Sequence, residues 1–152
     1  MNKLTSLKLI SMVMVLIITN TAMAAAETLT GRVYASVTHN LMPLGNGSAA
    51  INTETVGIVA MGGDSPMVYK LTCIGLGIQD TEDKFTNNVY CTFKRNENDR
   101  FDIEARLIDG NGNLKVIGGS GRYAGASGKG SFVRSAEGEE GLGLVKFKIK
   151  TN

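Results

Sequence analysis

Residues 116–132 read VIGGSGRYAGASGKGSF. Leu114 to Ile117 is branched and apolar enough for a strand, which breaks at Gly118 and Gly119. Tyr123 is the one aromatic residue of the following segment, and a strand resumes near Gly128. Glycine permits a positive φ and a close backbone approach that a Cβ forbids. Arg122-Tyr123-Ala124 has room for one short 3₁₀ turn. The stretch therefore reads as a tight corner between neighbouring strands of a curved sheet. Gly118, Gly119, Gly121 and Gly125 shape its backbone, and Tyr123 pins it.

Two phosphate-binding readings of this corner fail. Gly119-Ser120-Gly121 begins like a dinucleotide fingerprint, but the third glycine, Gly125, comes one residue late and no strand–helix–strand pattern surrounds it. Gly128-Lys129 resembles the end of a phosphate loop, yet Gly130 stands where Ser or Thr is required. Lys129 is then an ordinary surface lysine, and the glycines serve chain geometry.

The rest of the chain agrees with a sheet. Val33, Ala35 and Val37 alternate with Arg32, Tyr34, Ser36 and Thr38; Phe101, Ile103, Ala105 and Leu107 alternate with Asp102, Glu104 and Arg106; Val145, Phe147 and Ile149 alternate with Lys146, Lys148 and Lys150. Period two with one apolar side marks half-buried antiparallel strands. Turn signals separate eight such runs, at about 28–39, 52–61, 67–79, 86–94, 99–108, 113–118, 127–134 and 141–149. Eight short strands with many glycines predict an all-β fold, a closed eight-stranded antiparallel up-and-down barrel. A two-sheet sandwich is the alternative, disfavoured by the simple nearest-neighbour hairpins.

At the N-terminus, Lys3 and Lys8 flank an apolar run from Leu9 to Ile18 broken only by Ser11, and Ala22-Met23-Ala24 offers a cleavage site. This is the pattern of a secretory signal peptide over residues 1–24, too short to span a bilayer. Cleavage before Ala25 leaves a single domain, residues 25–152, and no integral membrane segment. It also leaves 14 Lys and Arg against 14 Asp and Glu, so no net basic charge points to nucleic acid. The expected location is secreted, periplasmic or extracellular.

That compartment favours disulfides. Cys73 and Cys91 are the only cysteines, and they lie symmetrically about Glu82 in the turn-forming segment Asp80–Lys84. A hairpin turning there sets Cys73 opposite Cys91, Leu71 opposite Phe93 and Gly75 opposite Val89, which predicts a structural disulfide. The acidic tip lacks the central glycine and distal glutamate of a calcium loop, so neither a metal nor another cofactor is expected. Asn46-Gly47-Ser48 matches a glycosylation sequon, but Asn-Gly is explained by turn chemistry.

The corner Val116–Ala126 resembles the GGSG-aromatic-AGA corner of the allene oxide cyclase and dirigent barrels. The chain is also similar to small secreted bacterial proteins of unassigned function, through Met42–Gly47, the cysteine pair and the acidic tip. The resemblance implies a calycin-like barrel. It carries over no catalytic residue, because fold analogy alone does not transfer chemistry.

Candidate functional residues are few. His39 is the only imidazole and is expected at the surface or rim; with no serine-nucleophile motif and no free thiol, a nucleophilic engine is not indicated. Glu104 and Arg106 share one strand face, either solvent-exposed or lining a polar interior, and Tyr34 and Tyr90 could also turn inward. These four are the candidate ligand-binding set, for a small and largely apolar molecule in the barrel mouth. A cyclase-type or dirigent-type enzyme, and an interaction barrel filled by its own side chains, are the alternatives. The sequence gives no indication of oligomeric state.

Overall fold

The computed structural model describes residues 26–62, 66–135 and 142–151. The leader assigned to residues 1–24 lies outside them, as do residues 63–65 and 136–141. Eight strands follow in order: β1 Ala26–Pro43, β2 Ala49–Met61, β3 Met67–Gln79, β4 Phe85–Lys94, β5 Arg100–Ile108, β6 Asn111–Ser120, β7 Ser127–Arg134 and β8 Leu142–Lys150. Each pairs antiparallel with its sequence neighbour, and β8 returns to β1 with Val145 opposite Gly31. The sheet is a closed barrel, with no open edge to shield.

Strand alternation decides which side chains face inward. Val59, Leu71, Phe101, Ile103, Val145 and Phe147 are buried, while Lys70, Lys146 and Lys148 between them are exposed. The β3–β4 hairpin has the expected register: Cys73 faces Cys91, Leu71 faces Phe93 and Gly75 faces Val89. The two cysteines are bonded, with Cα atoms 4.0 Å apart. Such an approach matches the closer class of antiparallel cross-strand pair. The first hairpin runs further than its composition indicates, pairing through Pro43 and Ala49 around a turn in which Leu44 N–H donates to Ser48 O at 2.8 Å.

The two ends of the barrel differ. At the end where β2, β4, β6 and β8 finish, five aromatic rings fill the interior. Phe93 and Phe101 stack with centroids 4.8 Å apart, Phe147 meets both edge-on, and Tyr123 meets Phe101 at 5.1 Å. The hydroxyls of Tyr69 and Tyr123 share a 2.6 Å hydrogen bond. Burial, then the Tyr69 contact, pushes the Tyr123 phenol well above its usual pKa, so it stays neutral. Tyr69, Phe101, Tyr123 and Phe147 have no exposed surface at all.

The corner at 116–126 delivers Tyr123 into this plug. A β-bulge in β6 leaves Ile117 without a partner: Ile103 pairs with Val116, and Asp102 with Gly118. The extra residue bends the strand and reverses the facing beyond it. A 3₁₀ turn, Gly121–Tyr123, follows and is clamped to the β4–β5 turn. Arg122 N–H donates to Asp99 Oδ1 at 3.0 Å, and Ser120 Oγ donates to Asn98 O at 2.8 Å. The first of these bonds, aided by the Asn96 amide, holds the Asp99 carboxyl below its ordinary pKa.

The four corner glycines have different reasons to be glycine. Gly121 and Gly125 have φ of 61° and 68°, the left-handed region. Gly119 needs no positive φ but lies in a close approach: a Cβ there would sit 2.6 Å from both Arg100 O and Tyr123 O. Gly118 faces open space, against the expectation that it too is required, because the bulge turns it outward. Gly119→Val is therefore expected to destabilise the fold by about 2 kcal/mol or more, and Gly118→Ala to stay within about 0.5 kcal/mol of wild type. Urea melts of the two variants check this. Equal effects would mean that backbone crowding does not govern the corner.

Candidate binding site

Beyond the aromatic plug, the interior is not filled. A cavity of about 410 Å³ occupies the other half of the barrel and opens where β1, β3, β5 and β7 end. Phe93 and the Cys73–Cys91 disulfide contribute to its lining, and Val33, Leu71, Val89, Ile103 and Leu114 form much of the wall. Gln79, Asp83, Asp109 and Arg134 are at the mouth. These acids are engaged in the turns: Asp109 Oδ1 accepts from Phe85 N–H at 2.9 Å, and Asp83 Oδ1 accepts from Gln79 Nε2 at 3.1 Å.

One side of the apolar wall carries a line of polar groups. His39, Thr53 and Asn87 occupy inward positions on β1, β2 and β4, where Val37, Ile51 and Val89 are the adjacent inward residues. His39 Nδ1 lies 3.1 Å from Thr53 Oγ1, and its ring meets Phe85 edge-on at 5.8 Å. Asn87 Nδ2 donates to Thr53 Oγ1 at 3.2 Å. The threonine hydroxyl thus links the histidine ring and the asparagine amide in one polar line.

Asn87 reaches β2 across an intervening strand. Gly75 on β3 makes this passage possible, since a Cβ there would meet both amide atoms of Asn87 at 2.8 Å. Asn87 is only 1% exposed, and its Oδ1 has no hydrogen-bond partner among the described residues. An unsatisfied buried acceptor costs about 1–3 kcal/mol. Asn87 lines the cavity as a residue, but this oxygen itself has almost no accessible surface.

The residues expected to bind ligand lie elsewhere. Tyr34, Tyr90, Glu104 and Arg106 stand on the outer surface, because Val33, Val89, Ile103 and Ala105 beside them take the inward positions. Tyr90, Glu104 and Arg106 do meet, around a shallow exterior depression completed by Lys115; Tyr34 is not among its lining residues. Lys115 Nζ donates to Glu104 Oε1 at 2.7 Å, and this bond raises the lysine's pKa. His39 is at the rim, as expected, with the added finding that it lines the cavity. Among the described residues, no three His, Cys, Asp or Glu are grouped so as to hold a metal ion.

Thr53 and Asn87 were absent from the expected set. The available signal was parity: each is a polar residue on a strand face whose other members are mainly apolar. The barrel exterior also gathers Lys115, Lys129 and Lys148 into one cross-strand row, while Ile74, Leu76 and Ile78 are exposed along β3. Comparison with known protein families, characterised proteins and solved structures finds no match.

Proposed function

We propose that this protein is an exported binding barrel that holds one small, largely apolar molecule in its mouth. The observation that carries the reading is the half-empty interior: a largely apolar cavity of about 410 Å³ that opens at one end of the barrel. That volume falls within the usual size of small-molecule sites. Export is supported by the signal-like residues 1–24, and a structural disulfide suits the same compartment. The resemblance of the 116–126 corner to allene oxide cyclase and dirigent barrels supports kinship at the level of the barrel.

The test is titration with the neutral fluorescent probe N-phenyl-1-naphthylamine, alongside the variant Ala35→Trp. Ala35 lines the cavity, so an indole there occupies ligand space. Wild type is expected to bind one probe per barrel. The variant should bind at least tenfold more weakly while retaining a cooperative melt. Should the probe bind neither protein, or bind both alike, the molecule is not a mouth-binding barrel.

A further inference from the structure

We infer that the outer face of β2 to β5 is the interface of a homodimer, covered in solution by the same face of a second copy of this chain. The inference concerns the outside of the barrel and stands apart from the binding reading above.

On that face Val56, Ile74, Leu76, Ile78, Tyr90 and Ile108 are each more than half exposed, Leu76 at 70%. Register makes them neighbours: Ile74 pairs with Tyr90, Thr86 joins Ile78 to Ile108, and Leu76 lies between these two rows. The Cys73–Cys91 bond fixes that register, so Ile74 cannot turn inward by a one-residue slip. The inward positions between these side chains are Gly75 and Gly77, the reverse of the usual polarity of a half-buried strand. At about 100 Å² for each half-exposed side chain of this size, the six offer on the order of 600 Å² of apolar surface. That is the upper end for a monomer. A homodimer interface of about 800 Å² per partner, about 65% apolar, requires about 520 Å² of it.

The chemistry between the apolar groups suits a copy of itself. Among the outward, even-numbered positions from 50 to 56, 72 to 78 and 86 to 92, only Glu54 is charged, and it stands at the β2 side. Asn52 and Asn88 flank Leu76, and Thr72 pairs with Thr92. Amides and hydroxyls both donate and accept, so they can satisfy their own kind across a two-fold axis, where like charges would repel. Charges gather at the borders instead: Lys70 opposite Lys94 toward the plugged end, and Glu104, Arg106 and Lys115 on the β5–β6 side. An apolar centre with a charged rim is the anatomy of a specific interface. Closure of the barrel leaves no strand edge for a copy to extend, so association has to use a face.

The experiment is sedimentation velocity of the oxidised chain 25–152, the whole eight-stranded domain, with two matched substitutions. Leu76→Lys puts a charge at the centre of the face. Leu144→Lys puts one on an outward leucine of β8, 55% exposed and outside the face. Wild type and Leu144→Lys are expected to be dimers at about 10 µM, and the Leu76→Lys dimer to be weaker by at least about 100-fold. A wild type that is still a monomer at about 100 µM, or an assembly other than a dimer, overturns the inference. Dimerisation that Leu76→Lys does not weaken, or that both substitutions weaken alike, also overturns it. A monomer that co-floats with neutral phosphatidylcholine vesicles would give the face to a lipid surface and overturn it as well. Should Leu76→Lys not fold, Ile74→Thr combined with Tyr90→Thr, both to a good strand former, is judged by the same criterion.

Discussion

Tyr123→Ala is expected to lower the unfolding free energy by about 4 kcal/mol, the range for truncating a buried aromatic ring. The ring is wholly buried, meets Phe101 and Tyr69, and ties the β6–β7 connection to the plugged end. Truncation removes those contacts and also strips Tyr69 of its 2.6 Å hydroxyl partner, leaving it a long contact to Met67 Sδ at 4.0 Å. Tyr123→Phe separates the two losses. It keeps the ring and should cost about 1 kcal/mol, the net value of one hydrogen bond. Urea melts of both variants test the assignment. Similar costs for the two would place the stabilisation in the hydroxyl pair, and a cost below about 1.5 kcal/mol for Tyr123→Ala would remove the ring from its role as a plug.

Loss of the disulfide should come next in size. In the chain-entropy model, freeing the loop between Cys73 and Cys91, 18 positions apart, costs about 3 kcal/mol. Both cysteines are buried and line the cavity, so Cys73→Ala with Cys91→Ala also enlarges the space around Phe93. The double variant is expected to unfold at lower urea with the same cooperativity, and the denatured, unreduced wild type to show no free thiol. If the double variant is as stable as wild type, native pairing of β3 with β4 already supplies the constraint credited to the bond.

Much of the barrel is legible because its physics is local. Alternation along Phe101–Leu107 needs no knowledge of neighbouring strands to set Ile103 and Glu104 on opposite faces. The symmetry of the cysteines about Glu82 gives a register that the structure reproduces. The corner was legible as a corner, but not the division of labour within it: whether Gly118 is crowded depends on a bulge that only pairing with β5 creates.

The candidate site was harder to read because it is assembled across strands. Thr53 and Asn87 are 34 positions apart in the chain and meet over a glycine of a third strand. Each alone looks like an unremarkable strand polar residue. Tyr90, Glu104 and Arg106 carry suggestive chemistry, and the inward placing of Val89 and Ile103 beside them puts them outside. The lysine row has the same cause, since Lys115, Lys129 and Lys148 become neighbours only by register.

The filled end of the barrel has a kinetic consequence. On the binding reading proposed above, with Tyr69, Phe101, Tyr123 and Phe147 closing one end, an occupant of the cavity would have one door among the described residues. Nothing can pass along the axis from one side to the other. A second molecule cannot push the first out ahead of it, so exchange proceeds by departure and then arrival. The release rate would then be independent of competitor concentration.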